Sequence, residues 1–313
     1  MGLLMPPASL PLVTVLLATH NGAAYLDEQL DTILAQEGVE VRVVALDDAS
    51  KDATPELLAQ RATLDSRITV LPSQGASGGA AANFYRLIRA VDLESAGLIA
   101  FADQDDVWHP TKLARHAELI AAGADGVSSN VTAFSSDGSR SLIKKDFPQR
   151  EYDYLLEGPG PGCTFLLSNR LTALAKERLS SATSEASDAD FHDWLLYVLC
   201  RAKGWRWQID SVSSMDYRQH DSNVMGANVG AASAQRRLKL ISGRWHRTEA
   251  TLLARIGLEV APPDKHAELE RVLELFTHTG PAHRARLARL AGQLRRRPRD
   301  RAIIGALVTL GIW

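Results

Sequence analysis

A chain of 313 residues, 45% hydrophobic and 23% charged, has an ordinary globular composition and is long enough for one large domain or one domain plus an appendage. No stretch reaches the ~18 consecutive apolar residues of a membrane span, the opening residues lack the basic start of a signal peptide, and two cysteines, Cys163 and Cys200, make neither a disulfide framework nor a metal-binding pattern, which points to buried thiols and a cytoplasmic setting. The net charge of −2 conceals an asymmetry: from Ser233 onward 16 Lys and Arg stand against 7 Asp and Glu, whereas the preceding residues carry 19 against 30.

Taken in order, "LVTVLLAT" and "VRVVALDD" are Val- and Leu-rich runs that read as strands, and the segment 24–37 between them places Tyr25, Leu26, Leu30, Ile33 and Leu34 at helical spacing. A helix over 55–64 follows, opened by the Ser50, Asp52 and Thr54 cluster and by Pro55, then a strand "RITVLP". The turn "SQGASGG", a helix over 80–91 and a strand "GLIAFAD" continue the alternation, which argues for a parallel α/β sheet covered on both faces. Beyond His109 come a helix over 111–121, a strand and turn in "DGVSSNVTAFSSDG", a Gly/Pro loop running into a strand in "EGPGPGCTFLLSN", and a polar linker "SSATSEASDAD". The buried helix of "FHDWLLYVLC" is next, then the strand and loop of "WRWQIDSVSSMDYRQHDSN". Residues 230–313 are helical in pattern and Arg-rich, interrupted at Pro262/Pro263, Gly280/Pro281 and Pro298, so the expected division is a catalytic domain over 11–229 and a basic helical region over 230–313.

Neither a G-x-G-x-x-G fingerprint nor a G-x-x-x-x-G-K-[ST] loop occurs, which disfavours a dinucleotide oxidoreductase and a P-loop enzyme. The first strand–helix turn, "LLATHNGAAYL", nonetheless stands where open parallel sheets bind ligands, and the second strand ends in Asp47 and Asp48, able to accept from ribose hydroxyls or a pyrimidine N–H. In "LIAFADQDDVWHP", Asp103, Asp105 and Asp106 fall within four positions. Repulsion and desolvation both oppose ionising such a trio. A divalent cation reverses that cost, and Mg²⁺ or Mn²⁺ is commonly held by one or two carboxylates together with substrate phosphates.

Strand-end acids, then a D-x-D after a later strand, then an isolated acid on a downstream helix resemble the inverting nucleotide-sugar glycosyltransferases of family 2, which have the GT-A fold. The segments "LLATHNGAAYLDEQLDTILAQ", "ALDDASKDAT", "FADQDDVWHPTKL", "GCTFLLSNRL", "FHDWLLYVLC" and "YRQHDSNVMG" look, in this order, like the rhamnosyltransferase branch of that family over about residues 12–228, enzymes that build bacterial surface polysaccharides such as O-antigen. The resemblance implies a mixed, mostly parallel α/β sheet with flanking helices and a helical C-terminal extension. It implies Asp193 as catalytic base; Asp105, Asp103 and His220 as metal ligands for Mg²⁺ or Mn²⁺; and Thr19, Asn21, Gly22, Asp48, Asn83, Asp103, Gly162 and Arg218 as nucleotide-sugar contacts, with Asp106 in support and Cys163 beside Gly162. The branch often has Tyr where His20 stands and a second Trp where Leu195 stands, which bears on acceptor or base preference.

The implied donor is dTDP-L-rhamnose and the acceptor a glycan or lipid-linked glycan. UDP-glucose or UDP-galactose as donor, or a non-catalytic nucleotide-sugar-binding protein, are the alternatives. A sugar nucleotidyltransferase would need a G-G-x-G-T-R-L loop, which is absent. Arg295, Arg296 and Arg297 beside the apolar end "RAIIGALVTLGIW" suggest peripheral attachment to the cytoplasmic face of the inner membrane or, equally, a helix docked on the domain. No motif of the tail reads nucleic acid.

Overall fold

Strand-forming runs separated by amphipathic segments fold here as consecutive β-α-β units. The structure, a computed structural model, describes residues 9–219 and 245–313. In its first half β1 (Leu12–Thr19), α1 (Leu26–Leu34), β2 (Glu40–Asp47), α2 (Thr54–Leu64), β3 (Ile68–Val70), α3 (Ala80–Ala90) and β4 (Leu98–Ala102) follow one another, and the strands pair in parallel in the order β3-β2-β1-β4. Alternation along β1 serves two cores. Val13, Val15 and Leu17 pack with Leu26, Leu30 and Ile33 of α1, whereas Leu16 and Ala18 join Phe84, Leu87 and Ile88 of α3.

The second half is antiparallel where the sequence pattern is least regular. It runs through β5 (Val107–Trp108), α4 (Lys112–Ala121), β6 (Gly126–Ser135), β7 (Arg140–Ile143), β8 (Leu166–Leu167), α5 (Asn169–Ser180), α6 (His192–Ala202) and β9 (Trp207–Gln219). β8 is antiparallel to both β4 and β6, β9 runs parallel to β6, and β5 closes the far edge antiparallel to β9. Because β5 starts just after β4 ends, the Asp103–Asp106 stretch forms the bend between two separate parts of the sheet. Helix α5 was not anticipated, although Ser168 caps it by accepting from Leu171 N and Leu171, Ala175 and Leu179 recur on its buried side. Helix α6 is buried almost all round, from Trp194 through Cys200, as an apolar helix inside a domain must be.

The C-terminal helices are α7 (Trp245–Val260), α8 (Pro263–Thr277), α9 (Pro281–Leu294) and α10 (Pro298–Thr309). Pro263, Pro281 and Pro298 each begin a helix, where the missing N–H costs nothing. The 229/230 boundary falls outside the described residues, but Leu252, Leu253 and Ile256 of α7 share one apolar cluster with Leu195 and Leu199 of α6, and Trp313 Nε1 donates to His246 Nδ1 at 2.9 Å. Arg296 is buried, Arg295 reaches His246 and Glu157, and Arg297 lies over Phe147. Among the described residues no helix is long and apolar enough to cross a membrane.

Candidate active site

The loops after β1, β2 and β4 meet at the strand ends and bring most of the predicted nucleotide-side residues together. Thr19 Oγ1 donates to Asp47 Oδ1 at 2.9 Å, and Asp47 also accepts from Ser50 N. Asn21, with φ +49, accepts from Lys51 N and donates its own N–H to Ser50 Oγ, both at 2.8 Å. Gly22 N donates to Thr54 Oγ1 at 2.8 Å, and a Cβ on Gly22 would stand 2.2 Å from Gln104 Oε1. That closeness matters because the Gln104 amide accepts from His20 N at 2.7 Å and donates to His20 O at 2.8 Å, pinning the acidic bend to the first loop. Asp48 is buried, holds the 73–79 turn through Ser77, and pairs with Arg86 at 3.6 Å. Asn83 lies beneath the strand ends, its Nδ2 donating to Leu46 O at 2.9 Å and its Oδ1 buried without a hydrogen-bond partner.

At the bend, ligand atoms of Asp103, Asp106 and Cys163 lie within 4.8 Å of one another. Burial, then the nearby Asp105 and Asp193, push the Asp103 carboxyl up to about 7. Burial, with Asp105 and Asp103, holds Asp106 well above the usual carboxylate range. Burial also keeps the Cys163 thiol protonated, so it donates without adding charge. Below them Lys112, itself buried, donates from Nζ to Cys163 O at 2.7 Å and lies over the Trp108 ring. Gln29, on the apolar side of α1, accepts from Asp106 N at 2.8 Å.

The donor set fits a hard divalent ion. Asp106 Oδ2 is buried with no hydrogen-bond partner, Asp103 offers a second oxygen, and waters and phosphate oxygens complete such a site. The soft thiol is a hydrogen-bond donor here, not a natural ligand for Mg²⁺ or Mn²⁺. Asp103 and Asp106 are the carboxylates that converge most closely, and Asp105, expected with Asp103 as a ligand, is half-buried beside them and raises both through its charge. His220 lies outside the described residues. Arg218 is committed to this bend: its N donates to Asp106 Oδ1 at 3.2 Å, its Nε to Asp105 O at 2.8 Å, and its guanidinium pairs with Glu28 between the Tyr25 and Phe134 rings. A second grouping, Glu274, His278 and His283, does not suit a metal as it stands, since the two imidazoles stack at 4.9 Å and 19° and their in-plane lone pairs do not converge.

Asp193 occupies the first turn of α6, its Oδ1 accepting from Trp194 N at 2.7 Å. Burial raises its pKa to about 6, against the Trp194 N–H and the Lys145 ammonium, which favour the ionised form. Its neighbour His192 stacks on Phe84 with ring centroids 4.1 Å apart, and burial drives its pKa down to about 3, so it is neutral. A Cβ on Gly162 would be 2.2 Å from His192 Nε2, so only glycine lets the 162–163 turn run between that ring and the acids. Gln104, Gln29, Lys112 and Lys145 were missed in the sequence. Gln29 alone left a signal, a polar residue in register with Leu26, Leu30 and Ile33.

The family model for Glycosyl transferase family 2 matches residues 14–169. The chain is 37% identical over 240 residues, 76% of its length and 83% of the relative's, to the dTDP-rhamnosyl transferase RfbG of Shigella flexneri. It is 37% identical over 140 residues, 44% of its length and 38% of the relative's, to the succinoglycan biosynthesis protein ExoO of Rhizobium meliloti. Among solved structures it resembles TarS of S. aureus in complex with UDP-GlcNAc, with a TM-score of 0.58 at 16% identity, covering 96% of this chain and 81% of that one. It also resembles the mannosyltransferase PcManGT of Pyrobaculum calidifontis in complex with GDP-Man and Mn²⁺, with a TM-score of 0.54 at 19% identity, covering 98% and 82%. At those identities the likeness concerns the fold, which is GT-A.

Proposed function

We propose that this chain, which belongs to glycosyl transferase family 2, transfers L-rhamnose from dTDP-L-rhamnose, with inversion and with a divalent metal, onto a bacterial surface-polysaccharide acceptor. The observation that carries the reading is that the Asp103–Asp106 pair lies near Asp193, close enough for the Asp193 charge to oppose ionisation of Asp103. Thr19, Asn21, Gly22 and Asp48 border the nucleoside side, and Asp103, Asp105 and Asp106 are the acids that would hold the ion. When bound, that ion supplies Lewis-acid stabilisation of the charge on the leaving diphosphate. Asp193, ionised at neutral pH yet more basic than an exposed carboxylate, takes the proton of an acceptor hydroxyl on its free oxygen, Oδ2. The acceptor oxygen bonds to C1 as the bond from C1 to the diphosphate breaks on the opposite face, which inverts the centre.

The acceptor in this reading is a glycan or lipid-linked glycan, and the protein attaches peripherally to an anionic bilayer. Support comes from the last helix and the residues after it, where Ile303, Leu310 and Ile312 are 44%, 69% and 45% exposed beside Arg299 and Arg301. Titration calorimetry with dTDP-L-rhamnose, UDP-glucose and UDP-galactose, in Mn²⁺ and in EDTA, tests the donor assignment. Metal-dependent binding selective for dTDP-L-rhamnose is expected; preference for a UDP-hexose overturns the donor, and no binding of any overturns the activity.

A further inference from the structure

We propose that Arg296, from the short connection between α9 and α10, is a positioning residue for transfer: it anchors the Gly/Pro loop over 157–162 against Asp193. The inference rests on the reading of Asp193 as the base. Its geometry is that of a bridge. Arg296 Nη1 donates to Asp153 Oδ2 at 3.1 Å, Nη2 donates to Gly158 O at 2.7 Å, and its backbone N–H donates to Glu157 Oε1.

Both ends of the bridge lead to the base. Asp153 is fully buried and accepts from the Tyr197 hydroxyl at 2.9 Å and from Arg201 Nη1 at 3.1 Å, and both partners lie on α6, the helix that begins with Asp193 in its first turn. Gly158 faces Asp193 directly, since a Cβ there would stand 4.0 Å from Asp193 Oδ2 and from Trp194. One planar fork thus joins the buried carboxylate fixed to the helix of Asp193 with the peptide of Gly158, the residue that packs beside Asp193. A lysine ammonium carries the same charge but not that fork.

The loop needs such an anchor. Its sequence, Gly158-Pro159-Gly160-Pro161-Gly162, offers no polar side chain to fix itself, and besides Arg296 it is held by Ser128 Oγ donating to Pro159 O at 3.3 Å and Thr164 Oγ1 donating to Pro161 O at 2.7 Å, neither of which reaches Gly158. Beyond the Arg296 contact, the same loop places Gly162 against His192 and Cys163 beside Asp103 and Asp106. The buried carboxylates are answered within the cluster, Asp153 by Arg201 and Arg296 and Glu157 by Arg296 and Arg295. Part of the basic run read from the sequence as a membrane patch therefore works inward, on the catalytic loop.

The test uses Arg296→Lys, which keeps the buried charge, and Arg296→Met, both in the full chain. Three quantities are read: dTDP binding with Mn²⁺ by calorimetry, hydrogen exchange of peptides covering 153–164 and 41–48, and release of dTDP from dTDP-L-rhamnose with water as acceptor. Expected for Arg296→Lys are unchanged dTDP affinity, faster exchange confined to 153–164, and donor turnover lowered about 10- to 100-fold. Wild-type turnover with wild-type loop protection overturns the proposal, and so does a loss of protection spread over both peptides, which would make Arg296 a general stability residue. If the wild-type chain neither binds dTDP nor releases it from the donor, the glycosyltransfer reading fails, and exchange alone then decides whether Arg296 anchors the loop.

Discussion

Asp193→Asn keeps the side-chain shape and the acceptor for Trp194 N, but it removes a carboxylate whose ionisation the fold opposes. The carboxyl loses its proton near 3.8 when unfolded and near about 6 when folded. The folded chain therefore binds that proton more tightly, and the stability cost of ionised Asp193 grows as pH rises through this window and is constant above it. A shift of about two units corresponds to at most about 3 kcal/mol. In the variant the Lys145 ammonium loses its anionic neighbour, which brings the expected gain to about 1–2 kcal/mol. At an unfolding entropy of about 2.1 cal/mol/K per residue, the melting temperature should rise by about 2–3 °C at pH 7.5, and most of that gain should be gone at about pH 4. Turnover of dTDP-L-rhamnose should fall about 10²- to 10⁴-fold while dTDP binding survives. In the wild type, turnover should decline below about pH 6 as the base is protonated. Scanning calorimetry at the two pH values, paired with dTDP release, reads all of this. A variant that turns over at the wild-type rate and melts at the wild-type temperature at both pH values would refute the assignment of Asp193 as a strained base.

Gly162→Ala forces a Cβ onto His192, whose ring cannot retreat because it rests on Phe84 and Phe101, so urea denaturation should show a loss of about 1–3 kcal/mol. Adding His192→Ala should recover part of it; a Gly162→Ala chain as stable as wild type would mean the turn relocates freely. Gln104→Leu removes both bonds to the His20 backbone and should cost about 1–2 kcal/mol together with weaker dTDP binding, whereas a stability loss without any change in binding would confine Gln104 to folding. Burial pushes the Lys112 ammonium well below the usual lysine range while Asp103 and Asp106 favour its charged form, so Lys112→Met should cost only about 1–3 kcal/mol in the absence of metal, through the lost bond to Cys163 O and the lost charge, with Mn²⁺ restoring part; an indifferent melting curve would show that the lysine compensates nothing. Ile303→Asp combined with Leu310→Asp should abolish salt-sensitive co-sedimentation with phosphatidylglycerol vesicles, and equal sedimentation of both proteins would move the bilayer contact elsewhere.

The legible parts of this chain are those whose signal is local. The parallel strands announced themselves through Val- and Leu-rich runs of the right length, and the three C-terminal helix starts through Pro263, Pro281 and Pro298. The two-residue strand β5 carries no such signal, because what makes Val107–Trp108 a strand is pairing with Met215 and Asp216, far away along the chain, whereas β8 falls in the strand expected after the Gly/Pro loop. Helix α5 was within reach of periodicity and was overlooked behind the polar linker that follows it. At the site, the acids were legible as a cluster, but which of them converge was not. A bend between two strands decides that Asp106 turns inward beside Asp103, and no spacing rule contains that bend. The basic run at 295–297 left a docked helix and a membrane contact equally open for a related reason: composition counts charges, whereas Arg296 is defined by Asp153, 143 residues before it.

The acids at the bend stand out for how incompletely their charge is answered. Lys112 lies below them and Arg218 beside them, yet Asp103 remains pushed up to about 7 and Asp106 Oδ2 has no partner. A second lysine in place of Cys163 would satisfy both carboxylates, but a satisfied pair has little left with which to attract a cation. Cys163 solves the packing problem differently, since its protonated thiol donates a hydrogen bond and brings no charge. The fold therefore tolerates an acid cluster that lies near one buried lysine, bonded to Cys163 O, and is left short of positive charge. Under the proposed function, that shortfall is what a divalent ion carrying a nucleoside diphosphate relieves, so donor and metal should bind together and each should be weak alone.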